Sequence, residues 1–246
     1  MSGKVNDSKK EGNNHLTSTE DLVSEIQEYL GWDISRAVES LSKGTRMLAE
    51  EWNNLNPQTP EEIIDFYKKA DHYIFDLAAW HRTPERRNRT LASISLCKQE
   101  GITSVLDFGC GIGQDGILFA ESGFRVTLSD LPCKTFDFAK WRVKKKGLSI
   151  KLVNSSELEE KYECILCFDV LEHVWDPREV IQYLKRHLFD RGILLVTVAF
   201  YHNEIHPMHL QKNEKYRGVE FYQLMTTLGF RWEPPWNRIP SVFRKK

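Results

Sequence analysis

The stretch Val105-Leu-Asp-Phe-Gly-Cys-Gly-Ile-Gly-Gln-Asp-Gly116 is the most informative pattern in this chain. An apolar run closes on Asp107, glycines follow at positions 109, 111 and 113, and a helical pattern begins directly after them. A strand that turns through alternating glycines into a helix leaves a notch of nucleoside size at the helix start. A dinucleotide-binding fingerprint has glycine or alanine at the third position of G-x-G-x-x-G, where this chain has Gln114. The spacing is D-x-G-x-G-x-G instead.

Beyond Gly101, short apolar runs alternate with helical patterns at the spacing of an α/β sheet. We predict strands at about 103–107, 125–130, 150–153, 163–169, 192–198, 230–233 and 239–244. We predict helices between them at about 114–122, 134–146, 177–188 and 218–228. The run that begins at Gly192 is apolar on both faces, so we place it centrally in a covered, mostly parallel sheet.

Asp130 closes the run Arg125–Asp130, one strand after the glycines. An acid there can accept hydrogen bonds from both hydroxyls of a ribose, although it could also simply cap the turn into Leu131-Pro132. With the glycine loop, this pattern resembles the class I S-adenosylmethionine-dependent methyltransferases. The resemblance implies a Rossmann-like α/β fold, with a seven-stranded, mostly parallel sheet flanked by helices. It also implies S-adenosyl-L-methionine as cofactor and S-adenosyl-L-homocysteine as product.

The same resemblance suggests which side chains contact the cofactor. After the third strand the family usually presents an acid to the adenine, and here Asn154 takes that position, so the contact could pass to Ser155 or Ser156. Phe168 ends the fourth strand, where it can lie against the adenosine or the methionine chain, and His173 in the following segment is expected to brace the fold. The full set of cofactor contacts expected is Asp107, Gly109, Cys110, Gly111, Gly113, Asp130, Leu131, Asn154, Ser155, Phe168 and Trp80.

The loop after the fifth strand, Ala199–Leu210, is rich in histidine. We expect His206 or His209 to face the methyl acceptor as a general base, while the others are solvated or hold the loop. His202, His206 and His209 with Glu204 could instead bind a metal. We favour no metal, because loop spacing does not place these side chains on one face.

The chain divides into a mobile tail over 1–18, a helical extension over 19–100 and a cofactor-binding methyltransferase domain over 101–246. We expect helices from Thr19 to Leu30, from Ile34 past Leu48, from Pro60 on to Trp80, and from Pro84 toward Gly101. In similar methyltransferases such an extension forms a lid over the acceptor. Most of its aromatic side chains are expected in the core, and those nearest the cofactor are Tyr73, Trp80 and His81.

Two basic runs lie on predicted helices. We interpret Arg82, Arg86, Arg87 and Arg89 as a solvated face in preference to a site for the methionine carboxylate or an anionic acceptor. The run that starts at Lys144 is also interpreted as solvated.

Composition limits the function classes. With 41% hydrophobic residues the chain can fill a core, and a formal net charge of −1 argues against a broad phosphate-binding face, although a local basic patch stays open. No stretch of about 18 apolar residues and no signal-peptide core occurs, so we expect a cytoplasmic protein that does not enter the membrane.

The five cysteines fit a reducing compartment. Cys164 and Cys167 form a C-x-x-C pair within a predicted strand, where residues three apart point to opposite faces and cannot share one ion. Buried core cysteines are therefore favoured over a metal or redox site.

The sequence thus predicts methyl transfer to an oxygen, nitrogen or carbon of a small molecule. One alternative is a methyltransferase acting on a peptide, a protein or RNA, although the net charge makes a nucleic acid the less favoured partner. The other is a module that binds the cofactor without turnover. The identity of the acceptor and the oligomeric state are not readable from the sequence.

Overall fold

A computed structural model describes residues 21–235 and 239–246 of the chain. The predicted tail over 1–18 and the helix start at Thr19 lie outside the described residues. Among the helices that are described, none is both long enough and apolar enough to cross a membrane.

A seven-stranded sheet carries the C-terminal half, in the order β3-β2-β1-β4-β5-β7-β6. The first five strands in chain order pair in parallel, whereas β7 runs antiparallel to both β5 and β6. Their bounds are β1 Ser104–Phe108, β2 Arg125–Asp130, β3 Lys151–Asn154, β4 Tyr162–Phe168, β5 Leu188–Thr197, β6 Phe230–Glu233 and β7 Ser241–Lys245. The predicted Rossmann-like class I methyltransferase fold is confirmed.

The prediction for the start of β5 was wrong, because the strand begins at Leu188 and not at Gly192. Leu188 is fully buried and pairs with Tyr162, and a register irregularity then separates that pair from the pairing of Ile193 with Cys164. The three exposed residues between Leu188 and Gly192 hid the first pairing from a reading based on apolar runs. From Ile193 onward β5 is buried between β4 and β7, as its double apolar face indicates.

Nine α-helices surround the sheet within the described ranges. The helices of the sheet layers are α6 Gln114–Glu121, α7 Lys134–Lys145, α8 Pro177–Arg186 and α9 Val219–Thr227, with short 3-10 turns at Ser155–Glu157 and Gln211–Tyr216. Asp176 begins α8 by accepting a hydrogen bond from the Arg178 N–H at 2.8 Å, and Pro177 occupies the first turn. These helices match the predicted positions to within about two residues.

The N-terminal extension consists of α1 Asp21–Leu30, α2 Ile34–Leu55, α3 Pro60–Lys69, α4 Tyr73–His81 and α5 Pro84–Gln99. The prediction of one helix from Pro60 to Trp80 was wrong, because the chain turns at Ala70 and starts again at Tyr73. The turn lets α3 bury Phe66 against Trp52, while α4 buries Phe75 in a separate cluster that contains Leu22. One straight helix could not reach both clusters.

The buried stripe of α2 also differs from the apolar pattern of its sequence. Ile34 and Val38 are each 50% exposed, whereas the residues that face inward are Ala37, Leu41, Gly44, Leu48 and Trp52. A β-carbon on Gly44 would lie 2.7 Å from the backbone nitrogen of Asp76 and 2.8 Å from the carbonyl carbon of Phe75. Glycine therefore sets the close approach of α2 to α4.

Gly44→Ala is expected to lower the free energy of unfolding by about 1–3 kcal/mol, because the rigid backbone of α4 must move away from the added methyl group. Chemical denaturation measures this loss. Ser42→Ala, at an exposed position of the same helix, is the matched control and should change stability by less than about 0.5 kcal/mol. Equal effects in the two variants would show that the two helices do not meet at Gly44.

The sheet separates two large apolar clusters, and the cysteines follow the predicted strand geometry. Cys164 lies in the cluster on one face of β4 and Cys167 in the cluster on the other. All five cysteines are free and buried, which confirms their interpretation as core side chains.

Candidate functional site

The glycine loop joins β1 to α6 at the carboxyl edge of the sheet. Gly109, Gly111 and Gly113 have φ values of +68°, +54° and +72°, the left-handed region that glycine adopts most readily. A β-carbon on Gly109 would lie 2.5 Å from Val170 Cγ2, and one on Gly111 would lie 2.7 Å from Leu77 Cδ1. The backbone conformation therefore favours glycine at all three positions, and Val170 also leaves little room for a β-carbon on Gly109, in agreement with the motif.

Asp107 lies beneath this loop, 3% exposed. Its Oδ2 accepts a hydrogen bond from the Gly116 N–H at 2.9 Å, which holds the first turn of α6 to the end of β1. Burial raises the pKa of Asp107 well above its usual range, and the nearby carboxylate of Asp115 raises it further. The structure thus gives this predicted cofactor residue a loop-holding contact.

Asp130 lies at the end of β2, beside the loop. Its Oδ2 accepts a hydrogen bond from the Gly111 N–H at 2.6 Å, and its Oδ1 accepts one from the Leu131 N–H at 2.7 Å. The turn-capping contact is therefore present. Each carboxylate oxygen keeps further acceptor capacity, so the same group can still receive ribose hydroxyls. Burial raises the pKa of Asp130 to about 6, which leaves it mostly ionised at pH 7.

The predicted adenine side of the site lies at the end of β3, where Asn154 stands next to Asp130 in the strand register. Its Nδ2 donates a hydrogen bond to Glu157 Oε1 at 3.1 Å, so the amide oxygen is turned to the other side and can accept from an exocyclic amine. The Ser155 carbonyl accepts a hydrogen bond from the Tyr183 hydroxyl at 2.6 Å. That bond fixes the backbone of the turn after β3.

The end of β4 is covered by side chains from α4 and α5. Phe168 is 6% exposed, and the Arg86 guanidinium lies 5.2 Å from the centre of its ring. Trp80 reaches the same place from α4, and its Nε1 donates a hydrogen bond to Asp169 Oδ2 at 3.1 Å. Cys110 of the glycine loop is also buried.

The interpretation of Arg86 as part of a solvated face was wrong. Arg86 is 3% exposed, and its two terminal nitrogens donate to both carboxylate oxygens of Asp115, while its Nε lies 3.7 Å from Asp169 Oδ2. Burial alone would lower the pKa of Arg86, but the carboxylates of Asp115 and Asp169 outweigh it and raise the pKa. Asp115 is an acid inside the glycine motif, on a helix whose first residues are buried. This feature of the sequence indicates that a buried cation pairs with it.

A second buried cation, Arg142 of α7, joins the extension to the glycine loop and was not singled out by sequence reasoning. Its Nε donates to Glu25 Oε2 at 2.6 Å, and its Nη1 donates to the Ile112 carbonyl at 2.7 Å. Its Nη2 donates to Gln114 Oε1 at 2.5 Å. Gln114, which stands where a dinucleotide-binding fingerprint has glycine or alanine, thus accepts a hydrogen bond from this arginine.

The histidine loop after β5 brings His209 to a buried position, 7% exposed. Its Nδ1 lies 3.0 Å from the Tyr201 carbonyl, an acceptor that requires the proton on Nδ1 and leaves the lone pair on Nε2. Burial lowers the pKa of His209 to about 4, so the ring is neutral at pH 7. His206 stacks on this ring with 5.1 Å between centroids, and its buried Nδ1 has no hydrogen-bond partner among the described residues.

His173 joins the extension to this loop. Its Nδ1 lies 2.8 Å from the Tyr67 hydroxyl of α3 and 3.3 Å from the Met208 carbonyl, and burial lowers its pKa to about 3. This geometry agrees with a bracing role. The atoms of Glu172, His173 and His209 that could bind a metal ion lie within 4.8 Å of one another. Of the residues considered for a metal site from the sequence, only His209 belongs to this group.

The aromatic side chains of the extension divide as expected into core and edge. Trp52, Phe66 and Phe75 are buried, whereas Tyr73 is half-buried and packs on Tyr67 with 5.4 Å between ring centroids. His81 is 6% exposed, and burial lowers its pKa to about 3.

Comparison with known proteins shows which domain family the chain matches. A family model described as a methyltransferase domain matches residues 68–233. A tRNA 5-carboxymethoxyuridine methyltransferase of Escherichia coli (strain K12) is 39% identical over 105 residues, covering 39% of this chain and 40% of that protein. A ubiquinone biosynthesis O-methyltransferase of Histophilus somni (strain 2336) is 30% identical over 156 residues, covering 58% of this chain and 64% of that protein. The chain thus matches less than two thirds of the length of either relative.

Among solved structures, a mitomycin 7-O-methyltransferase superposes with a TM-score of 0.58 and 15% identity. The superposition covers 93% of this chain and 72% of that one, so the shared fold includes most of the N-terminal extension.

Proposed function

Because the chain belongs to the methyltransferase domain family, we propose that it transfers the methyl group of S-adenosylmethionine to a nucleophilic atom of a small molecule. The single observation that carries this proposal is the hydrogen bond from the Gly111 N–H to Asp130 at 2.6 Å. That bond joins a loop whose left-handed backbone favours glycine to an acid one strand away, an arrangement suited to an adenosyl group.

The residues at the notch fit this cofactor. The glycine loop would lie against the methionine part, Asp130 would accept the ribose hydroxyls, and Asn154 would face the adenine. When bound, the cofactor supplies a methyl group on a positively charged sulfur that needs no further activation. Positioning of the acceptor and exclusion of water can then provide most of the rate.

The extension is suited to exclude water. Leu77 of α4 lies over Gly111, and Trp80 of the same helix is hydrogen-bonded to Asp169 at the end of β4. The Tyr67 hydroxyl of α3 contacts the His173 ring, so the N-terminal extension, which forms the cap, also meets the loop after β4. Together these contacts support a covered reaction site between the cap and the sheet edge.

We assign the proton-accepting role to His209, with His206 as its neighbour in the stack. The Nε2 lone pair of a neutral His209 can accept the proton of an acceptor hydroxyl as that oxygen bonds to the methyl carbon and the bond from this carbon to sulfur breaks. An oxygen acceptor is favoured because two of the relatives reported above carry O-methyltransferase names.

His209→Gln is expected to lower turnover about 10²- to 10⁴-fold, the usual contribution of general base catalysis, and to leave S-adenosylmethionine affinity unchanged. Single-turnover assays and calorimetry separate the two quantities. His187→Gln serves as control, because His187 lies near the start of β5, away from the loop. Turnover that survives in the His209 variant would assign the loop a structural role only.

The second candidate acceptor is RNA, and the observation that favours it is the identity with a tRNA-modifying relative. Labelled S-adenosylmethionine offered to low-mass and macromolecular fractions of a cell extract distinguishes the two acceptors. Label in the low-mass fraction supports the proposal, and label confined to RNA or protein overturns it. Binding of the cofactor without labelled product in any fraction would favour a non-catalytic module.

A further inference from the structure

A cationic cavity lies at the end of the sheet opposite the glycine loop. It has a volume of about 470 Å³ and is formed by the bend in β5 and by the adjoining ends of β6 and β7. Arg244 of β7 pairs with Ile193 near the start of the regular part of β5, which places the cavity at the amino ends of the parallel strands. Its lining residues are all basic: Arg191, Arg231, Arg244, Lys245 and Lys246.

The carboxylates near this cavity neutralise only some of these cations. The Arg244 Nε lies 2.5 Å from Glu233 Oε1, and the Arg244 Nη2 lies 3.1 Å from Glu100 Oε2. The Lys245 Nζ lies 3.3 Å from Asp190 Oδ1. The Arg231 Nη2 forms an ion pair with the same Glu233 Oε1, at 3.3 Å. The five basic side chains thus outnumber the three acidic ones that pair with them.

Arg191 is one of the cations of this cavity that no described carboxylate neutralises. Its side chain has no hydrogen bond or ion pair within the part of the chain that the structure describes. Its backbone, in contrast, is held, because Arg244 Nη1 donates a hydrogen bond to the Arg191 carbonyl at 3.1 Å. Arg191 has a φ of +64°, a backbone conformation that residues other than glycine rarely adopt. The bend of β5 therefore presents an unpaired guanidinium to the cavity.

We propose that this cavity binds a small phosphate-bearing anion, with Arg191 and Arg231 as its principal contacts. A guanidinium offers a planar fork of donors that matches phosphate oxygens, and the cavity volume falls within the range of small-ligand sites. The site is separate from the methyl-transfer edge and is independent of the proposed function. The small size of this cavity, on a chain of net charge −1, favours a small anion over a nucleic acid.

Titration calorimetry of the full chain with inorganic pyrophosphate tests this site. We expect saturable binding at one site per chain that weakens as NaCl is added. The double variant Arg191→Asn, Arg231→Gln should bind at least about tenfold more weakly, since it loses two charge-assisted contacts. Asparagine is chosen at position 191 because it tolerates the left-handed backbone.

Arg46→Gln is the matched control, because it removes an exposed arginine of α2 and should leave pyrophosphate affinity unchanged. Unchanged S-adenosylmethionine affinity and melting temperature in the double variant would show that its fold is intact. No saturable binding to the native chain, or equal affinities in the double variant and the control, overturns the proposal. So does an RNA oligonucleotide that binds here and is not displaced by pyrophosphate.

Discussion

Asp130→Asn is expected to weaken S-adenosylmethionine binding by about 10- to 100-fold, the effect of losing hydrogen bonds to a charged acceptor. The substitution preserves the size of the side chain but removes the charge that receives the Gly111 N–H at 2.6 Å. It also replaces one acceptor oxygen by a donor, which would oppose the N–H of Gly111 or of Leu131. Titration calorimetry with the cofactor or with S-adenosylhomocysteine measures the change.

The pH dependence of the native chain gives an independent check on the same group. Because the pKa of Asp130 is about 6, the carboxylate is ionised above that pH and gains a proton below it. Affinity for the cofactor should therefore be high at pH 7–8 and fall as the pH drops through about 6. In the asparagine variant this part of the pH dependence should disappear.

Asp137→Asn on α7 is the control for a surface acid, since its carboxylate pairs with Lys140 in solvent at 3.0 Å. Its cofactor affinity should equal that of the native chain. If Asp130→Asn and Asp137→Asn bind the cofactor equally well at pH 7.5, Asp130 has no part in the site.

Arg86→Gln is expected to lower the free energy of unfolding by about 3–5 kcal/mol, the cost of leaving a buried charge without its partner. Asp115 would remain buried beside Asp107 with no guanidinium to compensate it. Because Asp115 lies in the first turn of α6, the glycine loop should also lose its shape. Chemical denaturation and cofactor titration report the two effects separately.

The double variant Arg86→Gln, Asp115→Asn distinguishes charge from packing. If the ion pair is the cause, the double variant is more stable than Arg86→Gln alone, because no unpaired carboxylate remains at position 115. Arg82→Gln, at an exposed position just before the same helix, should stay within about 0.5 kcal/mol of the native chain. A loss in Arg82→Gln as large as that in Arg86→Gln would contradict the assignment.

The two arginine interpretations show where pattern reading stops. Arg82 and Arg86 belong to one basic run, yet Arg82 is exposed and Arg86 is buried on Asp115. Helical spacing indicates which residues share a face, but not whether another element carrying an acid covers that face. The same limit applies to Ile34 and Val38, which continue the apolar pattern of α2 and remain exposed.

The amino-acid pattern alone predicts the local part of this protein: the glycine loop between a strand and a helix, the acid at the next strand end, and the succession of strands and helices along the chain. These features depend on backbone conformation and on periodicity, which short stretches such as 105–116 specify alone. Long-range packing, in contrast, determines that Arg86 is buried on Asp115, that Arg142 binds the Ile112 carbonyl, that His209 is buried and neutral, and that Arg191 faces a cationic cavity. Those outcomes arise from contacts between distant segments, whose burial and charge no single stretch of sequence contains.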